Sequence, residues 1–334
     1  MARYVVTGAT GFVGAEVAKQ LLSRGHRVVV LVRDPARATL LARLGAEIQP
    51  GDVTDPPSVR AALAGADGVF HLAAWYRTGQ PRAATLAAAT NVGGTRHVLE
   101  AMRDLGIRKG VYTSTLAVNS DTRGVVVDET YRYTGPHLTV YDRTKWQAHY
   151  EVAVPMIGAG LPLVIVQPGA VYGPGDTSAL RAVFVDHLRR RLPFVPGRTA
   201  FCWGHIEDTA RAHLAAMERG RPGQSYIIAG PAHTLIDAVR LAAAHSGRPA
   251  PLVVVPPAVL RGAAAVTRLV ERVMPLPTAL SSETLAVLGG ATYLGDSGKA
   301  RRELGFAPRP LAEGLRHLVE HEMRQLGLTA PGMR

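Results

Sequence analysis

A tyrosine and a lysine four residues apart are the residues of this sequence whose types and spacing most directly suggest chemistry. Tyr141 and Lys145 fall in the run YDRTK, and residues at i and i+4 share one face of a helix. A free tyrosine titrates near pH ~10, but a neighbouring cation stabilises the phenolate and lowers that pKa. We therefore expect Tyr141 to transfer a proton, with Lys145 lowering the pKa of the phenol. The alternative is a pair of ordinary neighbours on a helix surface.

Three consecutive hydroxyl residues stand at the end of a predicted strand. The run VYTSTLAV at 111–118 contains Thr113, Ser114 and Thr115. Ligands bind at the carboxyl edge of a parallel sheet, where such a hydroxyl can hydrogen-bond a substrate carbonyl and the Tyr141 oxygen. The competing interpretation is β-propensity with local hydroxyl-to-backbone bonds.

A glycine-rich turn at 7–14 (TGATGFVG) lies between the first predicted strand and the first predicted helix. Gly8 permits a tight turn, Gly11 lets the backbone approach a pyrophosphate, and Gly14 lets the helix pack against the strand. The helix N-terminus offers free amides and a positive dipole end to the phosphates. The turn therefore predicts a dinucleotide site, in which Lys145 would hold the nicotinamide ribose. The cofactor contacts expected from this turn are Gly8, Thr10, Gly11, Phe12, Val13 and Gly14.

The end of the second predicted strand decides which dinucleotide is expected. An NAD site usually carries Asp or Glu there to bond the ribose hydroxyls. This chain has Arg33, with Arg37 one turn later, and arginine can pair with a 2′-phosphate and stack on adenine. NADP(H) is therefore favoured, while Asp34 keeps NAD(H) possible because its carboxylate could serve the ribose.

Residues after the third and fourth predicted strands complete the expected cofactor site. Asp52 could accept a hydrogen bond from the adenine amino group with Val53 against the ring, or it could be a turn or N-cap residue. Leu72, Ala73 and Ala74 supply small side chains where the chain would pass close to the cofactor. Trp75 and Tyr76 follow, as an aromatic wall for substrate or as part of the core.

Alternating strands and helices must position these residues. Strands are predicted at 4–7, 27–32, 47–49, 68–72, 110–113 and 163–166, with helical stretches between most of them. This order predicts an α/β fold with a doubly wound parallel sheet (a Rossmann fold). We expect residues 1–170 to form the dinucleotide-binding domain, with 201–229 returning to it. We expect 171–200 and 230–334 to form a smaller C-terminal substrate lobe.

Composition narrows the functional classes. The 334 residues are 47% hydrophobic and 19% charged, which argues against wholesale disorder. No apolar run reaches the ~20 residues of a membrane span, and a signal peptide is not evident. With one cysteine, Cys202, no internal disulfide is possible. We therefore expect a soluble cytoplasmic protein with no membrane partner.

The net charge of +12 could indicate a nucleic-acid partner. Its arginines are scattered, however, and neither a zinc-ligand pattern nor an aromatic ladder accompanies them. We expect neither nucleic acid nor a bound metal, and the cationic surface would instead attract small anions.

Together these motifs resemble those of the extended short-chain dehydrogenase/reductase family, also called the NAD-dependent epimerase/dehydratase family, over nearly the whole chain. The turn at 7–14 is similar to the family's TGxxGxxG, and YDRTK is similar to its YxxxK. The run LVRDPAR at 31–37 resembles the cofactor loop of the dihydroflavonol-reductase-like branch. QPGAVYGPG at 167–175 is similar to RPxxVYGPG, with glutamine in place of the common arginine. HIED at 205–208 is similar to HVDD, where His205 is expected to pack or hydrogen-bond rather than catalyse.

The resemblance implies further site residues. It makes Thr115 the catalytic hydroxyl with Ser114 beside it at the substrate, and Asn91 the family's helix asparagine near the active site. Within 167–175 we expect Pro168 at the cofactor and Tyr172 at the substrate, while Thr113 completes the cofactor set. The resemblance also implies a homodimer joined by two helices that flank the sheet.

Three functions follow as expectations. The first is an NADPH-dependent reductase of small aldehydes and ketones, in which hydride passes to a carbonyl carbon and Tyr141 supplies the proton. The second is a nucleotide-sugar epimerase with tightly bound NAD. The third is a non-catalytic NADP(H)-binding redox sensor. Dehydration is disfavoured, because Leu116 and Ala117 stand where dehydratases of the family carry an acidic pair.

Overall fold

The computed structural model describes residues 1–76 and 83–328 of the chain. Its strands, in chain order, are β1 (Arg3–Thr7), β2 (Arg27–Val32), β3 (Glu47–Pro50), β4 (Gly68–His71), β5 (Gly110–Thr113), β6 (Leu163–Pro168), β7 (Ala170–Tyr172), β8 (Val195–Pro196), β9 (Ala200–His205), β10 (Ser225–Ile228), β11 (Ala232–Thr234), β12 (Val254–Val255) and β13 (Thr292–Tyr293).

Its helices are α1 (Phe12–Ser23), α2 (Thr39–Arg43), α3 (Pro56–Leu63), α4 (Ala84–Ala88), α5 (Gly94–Asp104), α6 (Val140–Gln147), α7 (Val154–Gly158), α8 (Ala179–Leu188), α9 (Ile206–Arg219), α10 (Leu235–Ser246), α11 (Pro257–Val270), α12 (Ser282–Leu288), α13 (Gly298–Leu304) and α14 (Leu311–Gln325). Single π-helical turns at 89–93 and 148–153 join α4 to α5 and α6 to α7.

The main sheet confirms the predicted fold class. Among the described residues it has seven parallel strands in the order β3-β2-β1-β4-β5-β6-β10. Strands buried on both faces need continuous apolar runs, and β2 (RVVVLV) buries every residue after its first. The strand order reverses between β1 and β4, so a crevice opens at their carboxyl ends, where dinucleotides bind in such sheets.

The region after β6 divides its strands between the main sheet and smaller ones. β10 joins the edge of the main sheet beside β6, whereas β9 pairs with β7, β11 and β13 in a separate sheet. β8 and β12 form a further two-stranded pair. Helix α14 is the last element among the described residues. The division into two lobes stays a prediction, and its last residues, 329–334, lie outside the described ranges.

Two apolar clusters cover the two faces of the main sheet, and a third fills the C-terminal region. The third joins α8, α10, α14 and β9 around Trp203. Within the described ranges no helix is long and apolar enough to cross a membrane. In those same ranges no group of three or more His, Cys, Asp and Glu residues could hold a metal ion.

Candidate active site

Helix α6 carries the predicted tyrosine and lysine. Thr139 caps the helix by accepting a hydrogen bond from the amide of Asp142 at 3.0 Å, which sets where the helix begins. Tyr141 therefore stands in the first turn and Lys145 in the second, as the spacing predicts. The lysine reaches the end of β5, the strand that leads into the three hydroxyl residues.

The strand-end hydroxyl of Thr115 lies with Tyr141. Its side chain hydrogen-bonds the Tyr141 phenol and also accepts from the amide of Ala117 at 3.1 Å. The structure therefore brings these two predicted residues together. Tyr76 packs edge-on against the Tyr141 ring, with centroids 4.8 Å apart, so an aromatic wall adjoins the phenol.

The pKa of Tyr141 moves in the direction opposite to the one expected. Burial raises it well above the ordinary tyrosine value, and the hydrogen bond from Thr115 offsets only part of that rise. The prediction that Lys145 lowers this pKa is wrong for the protein as it stands, because desolvation penalises a buried phenolate. The phenol therefore keeps its proton at neutral pH.

Lys145 is buried and turned toward β5. Its ammonium donates to the Thr113 carbonyl at 2.8 Å and to the Tyr112 hydroxyl at 3.1 Å, and it lies 4.6 Å from the centre of the Tyr112 ring. Burial lowers the pKa of Lys145 to about 7, because a low-dielectric environment disfavours the charged form. The lysine is thus partly deprotonated near neutral pH.

Ser114 is not brought to the substrate side. Its hydroxyl lies 2.7 Å from Nδ1 of His149, and both side chains are buried. Successive residues of an extended chain point to opposite faces, so Thr115 faces Tyr141 while Ser114 faces away. The predicted substrate contact of Ser114 is wrong.

Asn91 takes a positioning role rather than a catalytic one. Its side chain accepts from the Trp75 amide at 2.7 Å and donates to the Trp75 carbonyl and the Thr144 hydroxyl at 3.1 and 2.9 Å. Its side chain thus ties the segment that carries Trp75 and Tyr76 to helix α6. The resemblance to the family singled out Asn91 as an active-site residue. In the structure its side chain instead positions the segments on either side of it.

Tyr172 is wrongly predicted as a substrate contact. Its side chain is fully buried and packs edge-on against Trp203 and His205. Its hydroxyl lies so close to Gly314 of α14 that a side chain there would collide with it. His205 is buried as well and caps α9 by accepting from the Glu207 amide at 3.4 Å, which confirms its expected packing and hydrogen-bonding role.

The glycine turn has the geometry that a dinucleotide pyrophosphate needs. Gly8 has φ +75°, and a Cβ at Gly14 would lie 2.2 Å from the Gly8 carbonyl oxygen, so both positions require glycine. Gly11 is the N-cap of α1 and has no side chain with which to bond the amides that open the helix. Those amides are free to receive phosphate oxygens, and the residues present fit NAD(P). Thr10, Phe12 and Val13 are partly exposed around this turn.

In the loop after β2, the two arginines are exposed, whereas the Asp34 carboxylate is hydrogen-bonded within the loop. Arg33 and Arg37 are exposed, and Arg33 lies 3.9 Å from Asp52. Asp34 accepts from the Ala36 amide at 3.0 Å and so caps a short helical turn at 35–38. Asp52 accepts from both the amide and the hydroxyl of Thr54, which matches its turn interpretation.

The remaining predicted cofactor residues surround the same crevice. Val53 is buried against Gly94 of α5, and Ala73 donates from its amide to the Thr7 hydroxyl at 3.3 Å. Leu72 and Thr113 are partly buried, Ala74 is exposed and Pro168 is buried at the end of β6. Their contacts with a cofactor stay predictions.

Sequence reasoning missed a buried hydrogen-bond chain that joins the glycine turn to Asn91. His71 lies 2.7 Å from the Thr7 hydroxyl and 3.0 Å from the Thr95 hydroxyl, and Thr95 donates to the Asn91 carbonyl at 2.6 Å. Burial lowers the pKa of His71 to about 3, so the ring is neutral. A polar residue closing an otherwise apolar strand (GVFH) was the available signal.

Sequence reasoning also missed two residues of the C-terminal region that hold helix α6. Glu283 accepts from the Val140 amide at 2.9 Å, and the Tyr293 hydroxyl donates to Asp142 at 3.1 Å. Burial, with Glu283 nearby, raises the pKa of Asp142 to about 7. These residues lie some 140 to 150 positions away in sequence, and no motif marks them.

Comparisons with known proteins show similarity over most of the chain. Residues 4–229 match the model of the NAD dependent epimerase/dehydratase family. Sterol demethylase protein B of Methylococcus capsulatus is 31% identical over 309 residues, covering 91% of this chain and 93% of the relative. The 4-hydroxy-2-methyl-3-oxo-4-farnesyl-3,4-dihydroquinoline-1-oxide ketoreductase of Stigmatella aurantiaca is 32% identical and covers 92% of each chain.

Another relative and a solved structure extend this comparison. The UDP-glucose 4-epimerase of Streptomyces lividans is 30% identical over 298 residues, covering 80% of this chain and 89% of the relative. The crystal structure of gox2253 superposes with a TM-score of 0.83 at 33% identity, covering 98% of this chain and 100% of that one. Its whole-length likeness confirms the fold.

Proposed function

The chain belongs to the NAD dependent epimerase/dehydratase family of NAD(P)-binding enzymes, and we propose that within it the protein is an NADPH-dependent reductase of a small organic carbonyl compound. The observation that carries this proposal is the buried phenol of Tyr141 beside the hydroxyl of Thr115, where burial raises the pKa of the phenol. Carbonyl reduction requires a proton donor at the substrate oxygen. A buried tyrosine that holds its proton at neutral pH meets that requirement.

The residues of the chain divide the work of reduction among themselves. Bound NADPH supplies the hydride. Tyr141 donates its phenol proton to the carbonyl oxygen, and Thr115 orients that oxygen by hydrogen bonding. Lys145, held by Thr113 and Tyr112, fixes the end of β5 and binds the ribose. Tyr76, edge-on to the Tyr141 ring, excludes water from one side of the reacting carbon.

Two observations support NADPH over NADH. An oxygen of the Asp34 carboxylate is used to cap the turn at 35–38, which leaves it less able to bond a ribose. The Arg33 side chain is 70% exposed and directly follows β2, the strand whose end is close to the adenine ribose in this kind of fold. The arginine can pair with that phosphate bidentately.

The name of one relative supports a carbonyl substrate. A ketoreductase matches this chain over 92% of its length. Trp75 and Tyr76 give the proposed pocket aromatic character, which favours an organic carbonyl compound over a polar sugar.

Nucleotide-sugar epimerisation is the second candidate, favoured by the epimerase relative from Streptomyces lividans. A diphosphate needs free cations, and Arg181 does not offer one because it is paired with the buried Glu322 at 2.7 and 2.8 Å. Arg189, Arg190 and Arg191 are exposed at the end of α8 and are the remaining candidates for that contact.

The first experiment is a side-by-side titration of the purified protein with NADPH and NADH, after a check for nucleotide retained through purification. We expect NADPH to bind at least roughly tenfold tighter, about 1.4 kcal/mol. Arg33→Ala should remove most of that difference, whereas Arg43→Ala, an exposed arginine of α2, should leave it. Reductase assays on aldehydes and ketones follow. Tightly retained NAD with sugar-nucleotide epimerisation and no carbonyl reduction would contradict the proposal.

A further inference from the structure

Helix α11 presents apolar side chains on the side that faces away from the protein. Leu260 and Ala264 are buried against Leu285 of α12. Val259, Val266 and Leu269 are 60%, 61% and 59% exposed. At 100° per residue these three fall within about 80° of arc, roughly opposite the buried pair. Val273, just past the helix end and 85% exposed, continues this apolar stripe.

Arginines run along one border of the apolar stripe. Arg261 and Arg268 lie between the buried face and the stripe, and Arg272 follows the helix on the same side; all three are exposed. Glu271, the acidic residue between Pro249 and Ser282, turns inward to accept from the Ser282 amide at 3.0 Å. The charges exposed along this helix are therefore positive.

We propose that α11 docks the protein on an anionic lipid surface, with the apolar stripe in the interfacial layer and the three arginines at the phosphates. An amphipathic helix with arginines beside an apolar face is the usual form of such a contact, and each cation near an anionic surface adds to binding. This proposal differs from the expectation from sequence that the protein has no membrane partner. It concerns the surface alone and does not depend on the proposed reductase activity.

A second copy of the chain is a poorer occupant of this face. A two-fold interface brings the same surface of both subunits together, and when two copies of α11 pack antiparallel, the three arginines of each copy lie along the same border. With Glu271 turned inward, like charges would face each other. Phosphate head groups neutralise the same arginines.

The docking face adjoins the active-site helix. Arg261 and Arg268 line a cleft whose other side includes Asp121 and Leu138, and Leu138 directly precedes the N-cap of α6. A protein seated on lipid through α11 would hold this cleft close to the membrane surface.

The test measures binding of the full-length protein to vesicles by flotation. We expect binding to vesicles of phosphatidylglycerol and phosphatidylcholine, and weaker binding to phosphatidylcholine alone. The triple variant Val259→Ser/Val266→Ser/Leu269→Ser should lower binding at least tenfold. Arg268→Gln/Arg272→Gln should lower the preference for anionic vesicles and weaken its salt dependence. Leu40→Ser/Leu44→Ser, which removes two exposed leucines of the α2 region, should stay within twofold of wild type.

A second readout does not depend on removing apolar side chains. A polarity-sensitive dye attached to the cysteine of Val266→Cys reports whether the apolar stripe enters the lipid. The dye should label position 266 selectively, because the native Cys202 is buried. Its emission should shift to the blue with anionic vesicles. No wild-type binding, binding that survives the triple variant, or an unshifted dye would overturn the proposal. So would a concentration-dependent dimer that the triple variant disperses without any lipid binding, which would assign the stripe to a second copy.

Discussion

Strand β2 and helix α11 are both rich in aliphatic side chains, but the side chains of β2 are buried and most of those of α11 are not. β2 buries Val28–Val32 completely between two layers of helices, whereas α11 buries only Leu260 and Ala264. Removing apolar surface from water is the main favourable term in folding. A helix that keeps three large aliphatic side chains in water therefore forgoes stability that the sheet gains, and this points to a surface with a function.

The main sheet and the C-terminal region also differ in what they contribute to the candidate active site. The carboxyl edge of the sheet gathers Tyr141, Thr115 and Lys145 into a site where burial raises the pKa of Tyr141 and lowers that of Lys145. The C-terminal region reaches that site through Glu283 and Tyr293, which contact helix α6. In the proposed mechanism the reacting groups therefore lie on α6 and at the end of β5, and the C-terminal region supports α6 through these two contacts.

The largest effect expected is from Tyr141→Phe. Losing the proton donor should lower turnover about 10³-fold or more, in the range of general acid catalysis, while NADPH binding changes by only a few-fold. Steady-state kinetics and a fluorescence titration measure the two separately. Tyr150→Phe, which removes a hydroxyl bonded to the Tyr131 carbonyl, is the matched control. Unchanged turnover in Tyr141→Phe would refute the mechanism.

The two faces of α11 should respond differently to the same truncation. Leu260→Ala, at 4% exposure, should lower the free energy of unfolding by about 2–4 kcal/mol through lost burial and a cavity. Leu269→Ala, at 59% exposure, should change it by less than about 0.5 kcal/mol. Urea denaturation compares them. Similar losses from both would mean that Leu269 packs against something in solution.

The buried carboxyl of Asp142 should make stability depend on pH. Its pKa is raised from 3.8 to about 7 in the folded protein, so the folded state binds a proton that the unfolded state has released. This contribution is fully present below pH ~4 and is lost as pH rises through ~7, on the order of 4 kcal/mol.

Asp142→Asn tests that dependence, because it removes the titrating group while keeping a similar shape. The stability of wild type relative to the variant should fall between pH 4 and 8. A difference that is flat over this range would contradict the raised pKa. Wild-type stability also contains the buried histidines, so the difference between the two proteins is the quantity to measure.

The last prediction compares the stability changes caused by alanine at one glycine of α11 and at one glycine of the turn after β1. Gly262 lies within α11 and an added Cβ there would meet no atom within 4 Å, so Gly262→Ala should stabilise by about 0.5–1 kcal/mol through helix propensity. Gly14→Ala should instead destabilise, since its Cβ would lie 2.2 Å from the Gly8 carbonyl oxygen. Thermal denaturation of both variants gives the signs, and a stabilised Gly14→Ala would contradict the tight turn.

Periodicity and local motifs were enough for the elements of the sheet and for most of its functional turns. β2 and β5 were predicted at their observed bounds, and the Tyr141–Lys145 spacing gave their shared helix. These signals are local, since apolar runs, caps and glycine positions act within a few residues. The direction in which a side chain points was harder to predict from the sequence. Ser114 and Tyr172 both carry hydroxyls within the predicted motifs, but the structure buries both of them.

By itself, the sequence determined the doubly wound sheet, the phosphate-binding turn and the residue types of the reaction, because short-range backbone and burial preferences specify them. Only the tertiary structure decided the protonation and partners of those residues. The pKa values of Tyr141, Lys145 and Asp142 depend on desolvation by distant segments, and the exposed stripe of α11 depends on which of its faces α12 covers. Burial is a sum over neighbours from the whole chain, so no local pattern of residues contains it.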